Sequence, residues 1–200
     1  MRMLSLFLIL LFSQLTYADH IDLVKSTCRV YVQSDDGQFS GTGWTVKLKE
    51  DKTYIITAAH VIDKKNPTFK VKFFYPMSTL FTEAKLLGKD VENDIAVLTV
   101  SKKLKVKALN LAEKKIELGD RIISHGCPKG NWPSMVFGRV KAIGSNYFKM
   151  SPDVIPGRSG AAIMDEEGNY VYGIVLRTNG YAISSKVIRQ FLIEHKVLNK

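Results

Sequence analysis

The sequence lacks an apolar run long enough to span a bilayer. Its longest, Leu4–Phe12, falls well short of the ~20 residues a membrane-crossing helix needs. The run follows the basic residue Arg2 and precedes Thr16-Tyr-Ala18, with small residues Thr16 and Ala18 at the two positions a signal peptidase reads. That three-part order predicts a secretory signal peptide over residues 1–18 and a mature chain from Asp19, secreted or periplasmic and without a stable membrane anchor. Acidic residues are also scarce: 19 Asp and Glu stand against 29 Lys and Arg, a net charge of +10. Loss of residues 1–18 removes only Arg2 and leaves about +9. The lysines are dispersed (Lys47 to Lys52, Lys64-Lys65, Lys102 to Lys107, Lys114-Lys115) and interleaved with apolar or acidic residues. No DNA or RNA recognition motif accompanies them. They are therefore read as solvated edges and turns, not as a specific nucleic-acid surface.

Cysteine is limited to Cys28 and Cys127. Together with His20 and His125 they form no metal-ligand spacing, so neither a metal nor a cofactor is expected. In an oxidising compartment the two thiols are a candidate disulfide, with a pair of buried free thiols as the alternative. The chain also lacks internal repeats and low-complexity tracts.

What is present is ordinary globular composition, 46% apolar and 24% charged. Most of it reads as short β-branched and aromatic runs separated by Gly, Asn, Asp and Pro: Thr27 to Gln33, Phe39 to Leu48, Thr53 to Thr57, Phe69 to Tyr75 and Asp94 to Val100. Beyond these come Arg121 to His125, Ser134 to Ile143, Tyr147 to Met150, Gly160 to Met164, Tyr170 to Leu176 and Tyr181 to Ser184. This spacing predicts an all-β chain, a sandwich or a barrel. One helix is expected, capped by Ser184 or Ser185 and carrying Val187, Ile188, Phe191, Leu192 and His195 on one face. The charged stretch 111–119, ending in Gly119, is the expected linker. It separates residues 19–110 from residues 120–200.

Three stretches suit hydrolytic chemistry. His60 ends an apolar strand at Thr57-Ala-Ala-His60, where small residues permit a tight turn. Asp94 opens the strand Asp94-Ile-Ala-Val-Leu98, and a carboxylate at the edge of a core needs a hydrogen-bond partner. Ser159 lies in Pro156-Gly-Arg-Ser-Gly160, where glycines let backbone N–H groups converge on one point. The amides of Gly157 and Ser159 are the expected oxyanion hole. His, Asp and Ser in this chain order match one of the known triad orders.

With the triad blocks in place, the chain resembles the trypsin- and chymotrypsin-like serine proteases. Among them it is most similar to the HtrA-like proteases, through Gly41-Thr-Gly-Trp44, Leu87-Gly-Lys-Asp90, Pro156-Gly157, Gly173-Ile-Val175 and Gly180-Tyr-Ala-Ile183. The resemblance implies two six-stranded antiparallel barrels with the site between them. His60 would be the general base and then acid, Asp94 its orienter and Ser159 the nucleophile. Ala161-Ala162 and Arg158 depart from relatives, and no PDZ module is expected after the terminal helix. The implied substrate is extended polypeptide pairing with Leu176 to Thr178. In the implied pocket, Asp153 with Gly180 would select basic side chains, whereas Arg177 would favour acidic ones. A silent peptide-binding or chaperone-like protein on the same fold is the alternative to an enzyme.

Overall fold

The computed structural model describes residues 20–74, 81–130, 133–176 and 179–199. The leader expected over 1–18 lies outside the described residues, as do Tyr75, Arg177 and Thr178.

Six strands form the first barrel: β1 (Thr27–Ser34), β2 (Gly37–Leu48), β3 (Thr53–Ala58), β4 (Thr68–Phe73), β5 (Thr82–Asp90) and β6 (Ile95–Val100). They close in the order β1-β2-β3-β6-β5-β4. The second group is β7 (Asn110–Leu111), β8 (Arg121–Gly126), β9 (Ser134–Ile143), β10 (Tyr147–Ser151), β11 (Ala162–Asp165), β12 (Tyr170–Val175) and β13 (Tyr181–Ser184). Its order is β11-β8-β9-β10-β13-β12, and pairing of β11 with β12 closes the ring. β7 adds to β12 in parallel, with Asn110 opposite Tyr170 and Leu111 opposite Val171. The chain has therefore joined the second sheet by residue 110.

Side-chain alternation explains why two barrels form instead of one sandwich. β4 is one-sided: Phe69, Val71 and Phe73 are buried, while the lysines between them face out. β3 and β6, by contrast, are buried on both faces. Ile55 and Leu98 fill the interior of the first barrel. Their neighbours Ile56 and Val97 turn the other way and meet Met164 and Ile174 of the second barrel. The second barrel repeats the device, with Ile163 and Val175 inside it. Each such fully buried aliphatic side chain contributes roughly 1.5–3 kcal/mol, so the seam between barrels is a core in its own right.

Three short helices complete the described chain: α1 (Ile21–Ser26), α2 (Ala59–Ile62) and α3 (Ser185–Glu194). The sequence predicts only the last. α1 and α2 are too short to display a 3.6-residue period. Ile188, Phe191 and Leu192 of α3 are buried in the seam, so the helix closes it. Ser184 occupies the N-cap position, but its hydroxyl makes no capping bond. His195 packs as expected: its ring lies 4.3 Å from that of Phe191, and Nδ1 is 2.9 Å from Phe191 O.

Candidate active site

The register of one strand pair assembles half of the site. β3 and β6 run antiparallel with Ala58 opposite Ile95, so the residues just past the end of β3 meet the residue just before β6. Ala59 N donates to Asp94 O at 3.1 Å. His60 N donates to Asp94 Oδ1 at 2.8 Å, and His60 Nδ1 lies 2.7 Å from Asp94 Oδ2. Asp94 thus binds both the backbone and the ring of His60, from a left-handed backbone conformation (φ 56°) that Asp tolerates better than most residues. With Nδ1 as the donor to carboxylate, Nε2 is left as an acceptor facing away from Asp94.

The turn that presents Asp94 is fixed by its neighbour. Asp90 accepts from Asn93 N at 3.0 Å and from Asn93 Nδ2 at 2.7 Å. Burial on its own would raise the Asp90 carboxyl, but the Asn93 donors outweigh it and hold the group below its ordinary value.

Ser159 comes from the second barrel, in the loop before β11. Thr42 N of β2 donates to Ser159 O at 2.9 Å, and Thr42 Oγ1 donates to Gly157 O at 2.8 Å. These bonds hang the serine loop on the first barrel. Gly157 has φ 94° and Gly160 φ 88°. A Cβ on Gly160 would meet Thr42 O at 2.2 Å and Thr57 Oγ1 at 2.5 Å, so only glycine fits there.

His60 and Ser159 line one cleft of about 420 Å³, together with Phe39, Val61, Gly157 and Leu176. A second cleft, about 740 Å³, lies on the other side of His60 against Asp94, Leu176, Tyr147 and Tyr181. Ser159 Oγ donates to Leu176 O at 3.2 Å, and no hydrogen bond joins it to His60 among the described residues. A single χ1 step moves a serine hydroxyl by roughly 2 Å. Of the backbone amides in the loop, neither Gly157 N nor Ser159 N donates to another group among the described residues.

Below the loop lies an unusual set of buried polar groups. Arg158 is 3% exposed and His125 4%. Arg158 Nη2 donates to Ser134 Oγ at 2.5 Å, while Arg158 Nη1 and His125 Nδ1 have no partner among the described residues. Burial lowers the arginine. Burial, and then the nearby guanidinium, lower His125 to about 4, so its ring is neutral at pH 7. Cys28 and Cys127 are free and fully buried, which is the free-thiol alternative. Burial raises Cys28 well above the ordinary thiol value and raises Cys127 to about 12.

The pocket residues are only partly brought together. Asp153 Oδ1 lies 3.5 Å from the point a Cβ on Gly180 would occupy, and Gly180 O accepts from Met150 N at 2.9 Å. Leu176 lines both clefts beside His60, whereas Asp153 and Gly180 line neither. No group of three or more His, Cys, Asp or Glu suited to a metal occurs among the described residues. Two contributors were not singled out for a role in the sequence: Thr42, and Lys129, whose N donates to Pro156 O at 2.7 Å. Thr42 lies inside the Gly-Thr-Gly-Trp block, which was the one signal available.

Two closed barrels with this cleft at their seam define the chymotrypsin-like fold. A serine endoprotease of Yersinia pestis superposes with a TM-score of 0.78 at 21% identity, over 90% of this chain and 66% of that one. The HtrA-type protease AlgW, solved with a tripeptide, gives 0.75 at 24% identity, over 90% of this chain and 64% of its own. The trypsin-like peptidase domain matches residues 41–174, and the chain belongs to that family. In sequence it is similar to a probable periplasmic serine protease do/HhoA-like of Haemophilus influenzae, 29% identical over 144 residues. It is also similar to the periplasmic pH-dependent serine endoprotease DegQ of Escherichia coli, 28% identical over 143 residues. Each alignment covers 66% of this chain but only 30% of the relative's length.

Proposed function

We propose that the protein is an exported serine endopeptidase that cleaves extended polypeptide through Ser159, His60 and Asp94. The observation that carries this reading is the pairing of Asp94 with His60 Nδ1 at 2.7 Å beside a cleft that His60 shares with Ser159.

In this reading an incoming peptide lies along Leu176 and offers an N–H to Leu176 O, displacing the Ser159 hydroxyl from that carbonyl. The freed hydroxyl turns to His60. Its oxygen adds to the scissile carbonyl carbon as its proton passes to Nε2, and Asp94 stabilises the resulting imidazolium. The oxyanion faces the amides of Gly157 and Ser159. A donor of this kind is typically worth about 3–4 kcal/mol of barrier. His60 then protonates the leaving amine, which departs and leaves an ester on Ser159. Water, deprotonated at Nε2, attacks the ester carbonyl, and the serine oxygen leaves with the proton returned by His60.

Residues 1–18 would be removed on export, and the mature chain would act in the periplasm or outside the cell, as the periplasmic relatives suggest. Residues 19–110 and 120–200 would be its two units, joined by 111–119. The 3.2 Å bond from Ser159 Oγ to Leu176 O favours a second reading, a silent protein that holds extended peptide in the same cleft. Incubating residues 19–200 with an unfolded polypeptide separates the two. Fragments absent with Ser159→Ala and His60→Ala support the peptidase, and intact bound polypeptide with the unmodified chain contradicts it.

A further inference from the structure

We infer that the side chain of Thr42 is a positioning residue for the reaction, holding the oxyanion amides in place from the opposite barrel. This rests on the peptidase reading above, and deepens it.

Thr42 is fully buried and uses each of its polar atoms. Its N–H donates to Ser159 O at 2.9 Å, and its carbonyl accepts from Thr57 Oγ1 at 2.7 Å. Its hydroxyl donates to Gly157 O at 2.8 Å while accepting from Cys127 N at 2.9 Å. Any residue at this position would supply the first two bonds. A hydroxyl does this through a single atom, as donor to one loop and acceptor from another.

The consequence follows from peptide geometry. In a trans peptide the C=O and the following N–H point in opposite directions, so fixing one fixes the other. Lys129 N holds Pro156 O at 2.7 Å, which directs the Gly157 N–H outward from the opposite edge of the same peptide. Ala161 N holds Arg158 O at 2.9 Å, which does the same for Ser159 N–H. Gly157, at φ 94°, has no side chain to restrain the rotation of its own two planes. The plane before it is pinned by Lys129 and the plane after it by the Thr42 hydroxyl. That hydroxyl is itself anchored by Cys127, two residues ahead of Lys129. Loss of the hydroxyl releases Gly157 O and leaves Cys127 N without a partner; because Cys127 leads into Lys129, whose N–H sets the Gly157 amide through Pro156 O, the anchors on both sides of the glycine loosen together.

Thr42→Val replaces the hydroxyl with a methyl at similar volume, and Thr42→Ser keeps it. The expected result is at least a tenfold fall in kcat for Thr42→Val with KM within about threefold. The ceiling is the 10²–10³-fold cost of deleting an oxyanion donor. Affinity for a peptide boronate, whose oxygen occupies the oxyanion position, should fall in step with kcat, and Thr42→Ser should restore both. Melting temperatures are read alongside, and Thr42→Ala replaces Thr42→Val if the latter does not fold. Unchanged kcat in the hydroxyl-free variant, or a Ser variant as impaired as Val, overturns the proposal. Should the unmodified protein cleave nothing, the peptidase reading fails while the Thr42 proposal is still decided by the ¹⁵N–¹H signals of Gly157 and Ser159. These must move in Thr42→Val and return in Thr42→Ser, and unmoved signals overturn it.

Discussion

The two halves of the site are built in different ways. On the first barrel, His60 and Asp94 are joined directly, with one carboxylate binding both the ring and the backbone amide of the histidine. Their approach is dictated by the β3–β6 register. On the second barrel, Ser159 has no side-chain partner among the described residues, its hydroxyl resting on Leu176 O. Its loop is positioned by backbone carbonyls, several of them held from outside by Thr42 and Lys129. The base is thus set by local strand geometry, and the nucleophile and oxyanion amides by contacts across the seam. Damage should accordingly take different forms in the two halves: chemistry lost at constant fold in the first, fold and chemistry lost together in the second.

The largest effect is expected from Asp94→Asn. An amide there keeps an acceptor for His60 N but favours the wrong imidazole tautomer, so kcat should fall by about 10⁴-fold with little change in melting temperature. A loss below tenfold on a peptide substrate would erase the contrast between the halves. Gly160→Ala probes the other side. Its Cβ would collide with Thr42 O and Thr57 Oγ1 at φ 88°, and such backbone strain should cost about 1–3 kcal/mol or more in urea unfolding. Cleavage should fall with it, and a variant as stable and active as the parent would show that the seam is not tightly fitted.

A more gradual effect belongs to His125. Its folded value of about 4 lies below the ordinary 6.5, so the unfolded chain binds a proton that the folded chain refuses. Its contribution is fully present above pH 6.5 and declines as pH falls towards 4, amounting to about 3 kcal/mol across that window. Denaturant titrations at pH 7.5, 5.5 and 4.5 should show the decline, and His125→Gln should flatten part of it. An identical pH dependence in the two proteins would remove the buried-histidine account.

Much of this architecture is legible in the sequence where periodicity is strong. Ser134–Ile143 and Tyr181–Ser184 form strands at the bounds their composition predicts. β5 does not announce itself, because Thr82–Asp90 is largely polar or solvent-facing and only Ala84 is buried. It is a strand because β4 and β6 supply both of its ladders. β7, two residues long, offers no period at all. At the site, the His60, Asp94 and Ser159 blocks stand out because each needs a particular local frame. Thr42 is different. Its importance lies in four bonds to residues between 15 and 117 positions away, and nothing in Gly-Thr-Gly-Trp states where those partners will be. The free state of Cys28 and Cys127 was equally open, since pairing depends on side-chain directions set only by the finished seam.

The peptidase reading requires a serine that His60 can activate. Treating residues 19–200 with a fluorophosphonate and locating the adduct by peptide mass spectrometry tests this directly. The account predicts a single adduct on Ser159 that disappears in Ser159→Ala and is strongly slowed in His60→Ala. A folded, unmodified chain that stays unlabelled, or one labelled at the same rate without His60, would contradict it.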